Sequence, residues 1–428
     1  MKSYHIHTLG CQMNKSDSER ISALLNKGGL KECLQEEEAD LIIVNSCSVR
    51  QKAIDRIYGK LRKWNGWRQD RGLKTILTGC VLEKDKNQMS DSFDFVVNIK
   101  DIVKIPELLN LGRAEEESVC QTTDYLEIKP DYKSKFQAFV PIMTGCNNYC
   151  SFCVVPYTRG LETSRPVDSI ISEIKNLVSQ GCKEITLLGQ NVNSYKGQVD
   201  FPGLLRKINE LDGDFWVKFL TSHPKDMSDE LIKAVADCDK LCDYIHLPVQ
   251  SGDNQILKKM NRSYTVEHYQ GLIEKIKKQI SGVVISTDII VGFPTETDEQ
   301  FQKTVDLFKA VSYEMAYISQ YSPRSNTLAV KLFKDDIPHE VKKTREKTLD
   351  EVLAKIALEK NKKLINTIQP VLVEKNEQSA DDLYVNFGHT KNHKLVKFES
   401  GRQVLGQVVD LKIIEAGAWG LFGILAKA

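Results

Sequence analysis

Three short β-branched runs near the start of the chain each close on a cysteine. YHIHTLGC ends at Cys11, ADLIIVNSC at Cys47 and LKTILTGC at Cys80. Between them, SDSERISALLNKGG (16–29) and VRQKAIDRIYGKLRKW (49–64) carry helical periodicity, the first stopping on glycines and the second on Lys and Arg. Strand, helix, strand, helix, strand is the order of a parallel sheet with right-handed crossovers. The carboxyl ends of such strands line one edge, where open α/β sheets hold ligands. Three thiols distant in sequence are thus brought to one edge. One cysteine at a strand end would be an ordinary small packing residue; three in the same topological position, two of them after glycine, indicate a metal site.

The rest of the composition narrows the chemistry. Eleven cysteines are an odd number, and the opening MKSYHIHTLG lacks the layout of a signal peptide. The longest apolar stretch, AGAWGLFGIL (416–425), falls well short of the roughly 20 residues of a membrane span. A soluble, cytoplasmic protein is expected, whose cysteines serve metal or cluster ligation, not disulfides. A net charge of +1 shows no global bias toward nucleic acid, so any RNA site must be a local patch.

At 428 residues the chain needs more than one core. Residues 112–135 read as a polar linker. A longer alternation follows, with strands expected at 136–143, 184–189, 215–221, 244–249, 283–291 and 315–321 and helices such as 167–182 and 297–311 between them. Six βα units are too few for a closed eight-stranded barrel and fit a partial one. The Lys/Glu-rich stretch 331–363 reads as a solvated linker helix. Short strands with turn signals then form a small all-β module. The expected fold class is α/β with three parts: an N-terminal parallel-sheet domain (1–125), a central (βα)6 partial barrel (132–363) and a C-terminal β-barrel (364–428).

The first loop of the central part reads MTGCNNYCSFC, placing Cys146, Cys150 and Cys153 at CxxxCxxC spacing. Structural zinc takes four ligands, commonly as two close pairs, and no second pair lies nearby. A bacterial ferredoxin run would show two-residue gaps and a fourth cysteine before proline. Three thiolates on a four-iron cluster leave one iron open to bind a substrate or cofactor, as an open position does in catalytic zinc sites.

CxxxCxxC with an aromatic residue before its last cysteine, in the first loop of a βα partial barrel, resembles the radical S-adenosylmethionine (SAM) enzymes. GCQMN (10–14), NSCSVRQKA (45–53), GCNNYCSFCVVPYTRG (145–160), SRP (164–166), LGQNVNSY (188–195), HLPVQSG (246–252) and GFPTET (292–297) narrow the resemblance to the methylthiotransferases, and among them to the branch acting on dimethylallyladenosine in tRNA. The C-terminal module is similar to the TRAM RNA-binding domain. One departure is YSPRSNTLA (321–329), where the family usually has Pro-Gly before the Thr. The resemblance implies that Cys146, Cys150 and Cys153 hold a 4Fe–4S cluster that binds SAM. It implies a second 4Fe–4S cluster on Cys11, Cys47 and Cys80 where sulfur resides. It implies the use of SAM twice, once to methylate that sulfur and once to make a radical that activates carbon 2 of the isopentenylated adenine beside the anticodon. The implied partners are tRNA, an external electron donor of flavodoxin or ferredoxin type and a sulfur donor, with no membrane. Rival readings are a methylthiotransferase for ribosomal protein S12, one for threonylcarbamoyl-adenosine in tRNA, and a non-catalytic iron–sulfur protein with an RNA-binding tail.

Further candidates rest on position. Phe152 lies within the triplet, where its backbone is placed to meet the SAM adenine. Gln190, Asn191 and Asn193 follow a strand and are candidates for the SAM amino and carboxylate groups, with a capped turn as the alternative. Thr287, Asp288 and Glu296 are candidates for the ribose, with helix capping by Glu296 as its rival. Arg159 and Arg165 are candidates for RNA phosphate or SAM carboxylate, with a surface salt bridge as the alternative. Cys33, Cys120, Cys182, Cys238 and Cys242 read as packing residues, Cys238 and Cys242 on one helix face. His5, His7 and His246 read as core histidines. In the C-terminal module the turn HTKNHK, with Lys391, Lys394, Lys397 and Arg402 near Phe387 and Phe398, offers phosphate contacts and stacking faces.

Overall fold

A strand buried on both faces reads as an unbroken apolar run, and LIIVNSC does. The computed structural model describes residues 1–48, 51–111, 124–378 and 383–426; Cys120 lies outside them. Strands β1 (Ser3–Thr8), β2 (Leu41–Cys47) and β3 (Lys74–Cys80) pair in parallel, joined by helices α1 (Gln12–Lys27) and α2 (Gln51–Arg71). Two-residue edge strands, Lys31–Glu32 and Phe95–Val96, complete a five-stranded sheet. Leu41 and Ile43 face one core, with Ile21 and Leu25 of α1. Ile42 and Val44 face another, with Ile54, Ile57 and Trp64 of α2.

The stretch expected as a polar linker is partly a packed strap. Tyr125, Leu126 and Ile128 are buried in the first of these cores, together with Leu188 from the next domain. Three apolar side chains at 125, 126 and 128 decide this, although charged residues surround them in sequence.

The central domain contains six parallel strands: β4 (Gln137–Pro141), β5 (Glu184–Leu188), β6 (Trp216–Phe219), β7 (Tyr244–His246), β8 (Val284–Val291) and β9 (Met315–Gln320). Helices α3 (Val167–Ser179), α4 (Phe201–Asn209), α5 (Asp229–Asp237), α6 (Val266–Gln279) and α7 (Asp298–Val311) connect them. Hydrogen bonding divides the strands into β4–β5–β6 and β7–β8–β9, linked by one parallel bridge from Val217 to Leu241. The result is a partial barrel, and α1 packs along β4 beside it. Helix α5 ends at Asp237, so Cys238 and Cys242 share no helix face; both are buried.

Helix α8 (His339–Lys362) is not a solvated linker. It buries Lys342, Arg345, Leu349, Leu353, Ala357 and Asn361, a stripe at three- and four-residue steps. Leu349 and Leu353 belong to the barrel's outer core, and Arg345 pairs with Glu296 at 2.8 Å and Asp298 at 2.7 Å. A one-leucine-per-turn stripe is easily masked by Lys and Glu on the other faces.

Strands β10 (Ile368–Gln378), β11 (Tyr384–Thr390), β12 (Leu395–Ser400), β13 (Val408–Ala416) and β14 (Leu421–Leu425) close a barrel in the order β10–β11–β12–β14–β13. Its interior is Val371, Val373, Val396, Phe398, Leu411, Ile413 and Leu421.

Candidate metal and cofactor sites

The three strand ends do converge. Cys47 and Cys80 are register partners on β2 and β3. Gly10, at φ +139°, brings the chain before Cys11 so close that a Cβ there would lie 2.9 Å from the Cys47 Cβ. Asn14 of α1 ties the edge together: its Nδ2 donates to Asn45 Oδ1 at 3.0 Å and to the Ser46 carbonyl at 2.9 Å. Asn45 Nδ2 donates back to the Asn14 carbonyl at 2.8 Å. Cys47 and Cys80 are buried and Cys11 is exposed. Burial pushes the Cys80 thiol up to about 12 against the pull of Arg159, with Cys47 and Cys11 adding repulsion. Such a thiol loses its proton when a metal cation takes up the charge.

The second triad is set in one loop. Gly145, at φ +79°, passes the Leu161 carbonyl so closely that a Cβ would stand 2.0 Å from its oxygen. The loop is clamped to residues 259–261: Ser151 N donates to the Met260 carbonyl at 2.9 Å, Ser151 Oγ to the Lys259 carbonyl at 2.8 Å, and Asn261 Nδ2 to the Tyr149 carbonyl at 2.9 Å. Burial again raises Cys153, to about 12, with Cys150 and Cys146 contributing repulsion.

Each triad has a buried arginine on one sulfur. Arg262 Nη1 donates to Cys150 Sγ at 3.4 Å while its Nη2 holds the Pro248 carbonyl at 2.6 Å. Arg159 Nε donates to Cys80 Sγ at 2.9 Å. Arg159 is 1% exposed and pairs with Asp17 at 2.5 Å, so it is placed neither for RNA phosphate nor on the surface. Arg165 is buried too, on the Pro141 carbonyl at 2.7 Å and Glu173 at 2.8 Å. RNA phosphate and a surface salt bridge, two of the roles expected for these arginines, require exposed side chains, and both are buried. Arg262 was missed outright, since nothing local in NRSY marks it.

Among the described residues no group of three or more His, Cys, Asp or Glu is placed to hold a single metal ion. Thiolates on one tetrahedral zinc stand about 3.8 Å apart, from a Zn–S bond of about 2.3 Å. Two all-cysteine triads, one at strand ends and one in a loop, each fall short of the four ligands of structural zinc and suit iron–sulfur chemistry.

The remaining candidates separate. Gln190 Oε1 and Asn191 Oδ1 are buried and have no hydrogen-bond partner among the described residues. Asn191 Nδ2 is held by Asp226 at 2.7 Å. Asn193 is occupied structurally, its amide exchanging bonds with the His223 backbone at 2.9 and 2.8 Å. Thr287 Oγ1 lies between Val249 N and the Leu247 carbonyl. Glu296 accepts from Gly292 N at 2.7 Å and from Arg345, which ties its carboxylate to α8. Asp288 remains partly exposed, 3.5 Å from His246 Nε2. The Phe152 ring packs beside Ile256, Met260 and Phe293.

A cavity of about 480 Å³ runs between the domains. Thr8, Gln12 and Ser18 line its N-terminal side, Phe139, Thr186, Lys218, Tyr244 and Tyr317 its barrel side, and Glu374 and His393 its third wall. The turn HTKNHK docks here. Lys394 pairs with Glu314 at 2.5 Å, Lys391 binds the Asp239 carbonyl, and burial beside Lys218 and His389 pushes His393 down to about 2. Phe398 is inside the barrel. A different feature faces out. Lys375, Phe387, Lys397 and Phe422 are consecutive register partners across β10, β11, β12 and β14. Lys375 and Lys397 lie 5.9 and 6.0 Å from the Phe387 ring centroid.

Known proteins resemble this chain along its whole length. The radical SAM superfamily pattern matches residues 140–308, and that of the uncharacterized protein family UPF0004 matches 3–99. A tRNA-2-methylthio-N(6)-dimethylallyladenosine synthase of Clostridium botulinum strain Hall is 43% identical, over 98% of this chain and 96% of its own length. The synthase of the same name from Clostridium perfringens strain ATCC 13124 is 43% identical over 100% and 98%. Among solved structures, the radical SAM methyltransferase TsrM from Kitasatospora setae shares the fold at a TM-score of 0.54 and 14% identity, covering 74% of this chain and 73% of its own. The cobalamin-dependent radical SAM enzyme OxsB does so at 0.52 and 12%, covering 82% and 56%.

Proposed function

We propose, because this chain belongs to the radical SAM methylthiotransferase family, that it places a methylthio group on carbon 2 of the isopentenylated adenosine beside the anticodon of tRNA. The observation that carries the reading is the pair of cysteine triads, one per domain, each with a buried arginine on one sulfur. Cys146, Cys150 and Cys153 would hold the cluster that binds SAM; Cys11, Cys47 and Cys80 would hold the second. When bound, these groups supply one-electron cleavage of SAM and a store of sulfur.

The chain's own residues do the rest. Gln190 and Asn191 offer buried oxygens as acceptors for an ammonium group, which supports a SAM amino subsite beyond β5. Arg262 and Arg159 fix the orientation of one ligand sulfur in each triad. The cavity is polar around Lys218 and Tyr317 and apolar around Phe139, room suited to a nucleobase screened from water. The Lys375–Phe387–Lys397–Phe422 row supports contact with RNA, since alternating cations and rings are what stacked bases and phosphates require. An external reductant and a sulfur donor complete the reaction.

The test compares wild type and Cys47→Ala, reconstituted without oxygen and given SAM, dithionite and an isopentenylated anticodon stem-loop. Mass spectrometry should find methylthio-adenosine with the wild type only, while both release deoxyadenosine. Product from a threonylcarbamoyl stem-loop or from protein S12, with none from the isopentenylated RNA, would replace this substrate by the other.

A further inference from the structure

Arg159 belongs by sequence to the first triad and by contact to the second. It ends the five-residue helix Val155–Arg159 that leaves the Cys153 loop. Each nitrogen of its guanidinium is engaged on the N-terminal domain or the strap: Nε on Cys80 Sγ at 2.9 Å, Nη2 on Asp17 at 2.5 Å and Nη1 on the Tyr125 hydroxyl at 3.2 Å. Tyr125 in turn donates to Thr144 Oγ1 at 3.2 Å, two residues before Cys146. Arg159, Asp17 and Tyr125 are all buried at 1% exposure or less. A cation so far from water is held in place by its anion and its fork of donors.

We propose that Arg159 is a positioning residue for the second cluster, holding Cys80 from across the domain interface and setting that cluster's reduction potential in opposition to Asp17. The inference rests on the two-cluster reading above. An N–H donated to a ligand sulfur, with a positive charge behind it, favours the reduced and more negative cluster; the Asp17 carboxylate on the same guanidinium works the other way. The same side chain fixes the spacing of the two metal loops, because one helical turn joins it to Cys153.

The experiment uses the full chain carrying Cys146→Ala, Cys150→Ala and Cys153→Ala, which leaves only the second site. Into it are placed Arg159→Gln, Arg159→Lys and, separately, Asp17→Asn. Iron per chain, the electron paramagnetic resonance spectrum of the reduced protein and the midpoint potential are measured, with circular dichroism to establish folding. The background variant should bind about four irons. Arg159→Gln should move the potential negative, Asp17→Asn should move it positive, and Arg159→Lys should fall between wild type and Arg159→Gln. Loss of iron from a folded Arg159→Gln chain also supports the role in holding Cys80. If Arg159→Gln fails to fold, the sign of the Asp17→Asn shift decides. Unchanged spectrum and potential in Arg159→Gln and Asp17→Asn overturn the proposal. A background variant with no iron at all overturns instead the assignment of a second cluster.

Discussion

At the scale of single residues, the sites depend on places where a side chain has no room. Gly79 has φ +101°, and a Cβ there would stand 2.3 Å from the Ser46 carbonyl oxygen and 2.7 Å from the Ser46 nitrogen. Both contacts are backbone and cannot swing away. Gly79→Ala should cost at least about 1–3 kcal/mol in strain, read in urea unfolding, and should lower iron retention at Cys47 and Cys80. Glu36 gives a pH-dependent counterpart. Burial alone would raise its carboxyl, but hydrogen bonds from Lys63, Lys60 and His7 bring it down to about 2. A carboxylate with a depressed native pKa stabilises the fold above its unfolded value and loses that contribution as the pH falls through the native one. Glu36→Gln should therefore lower stability at pH 7 by about 1.5–3 kcal/mol, as for hydrogen bonds to a charged group. The difference from wild type should close as the pH drops from about 4.5 toward 2, in thermal melts across that range. A difference independent of pH would rule out the charge as its source.

At the scale of elements, α8 is the sharpest case. Leu349 is fully buried against the barrel, so Leu349→Ala should destabilise by about 2–5 kcal/mol. Lys347→Ala, one turn face away and exposed, should stay within about 0.5 kcal/mol. Equal, small effects in denaturant titrations would return the helix to the status of a solvated linker. This helix also shows where sequence reading stops. Strands such as LIIVNSC and VVISTDIIV declare themselves by local composition, and so do the topological positions of Cys11, Cys47 and Cys80. Whether a Lys/Glu-rich helix is packed depends on a surface formed by other elements, β9 and α7, which its own sequence does not show. Asn193, Glu296 and Arg165 follow the same rule: their residue types suit ligand binding, yet backbone groups and charges from other elements occupy them. Arg159 is the extreme example, since its partner Cys80 comes from another domain.

At the scale of the molecule, three domains meet at one cavity, and the C-terminal barrel contributes there through the very turn that composition marked as basic. Its outward row of Lys375, Phe387, Lys397 and Phe422 owes its existence to strand register, which aligns residues from four strands that no sequence window contains. Phe387→Ala should weaken binding of the isopentenylated stem-loop by about 1–3 kcal/mol if a base stacks there, measured by fluorescence anisotropy. Lys397→Ala should weaken it less and reduce its salt dependence. The paired changes His389→Ala and Lys391→Ala, on the docked side, should leave binding to RNA nearly unchanged. The reverse ranking would move the RNA to the other face.

The two cysteine triads differ in how far apart their members lie along the chain, and that difference has a consequence in time. Cys146, Cys150 and Cys153 are neighbours, so closing their loop requires little search and can precede the rest of the barrel. Cys11, Cys47 and Cys80 meet only after parallel strands with crossover helices have paired, an ordering dominated by non-local contacts and correspondingly slow. Arg159 joins this edge from later in the chain. The N-terminal domain leaves the ribosome first, yet the sulfur environment at Cys80 is finished by a side chain made 79 residues later. A nascent chain halted before Arg159 would carry Cys11, Cys47 and Cys80 without the guanidinium that Cys80 meets in the finished fold.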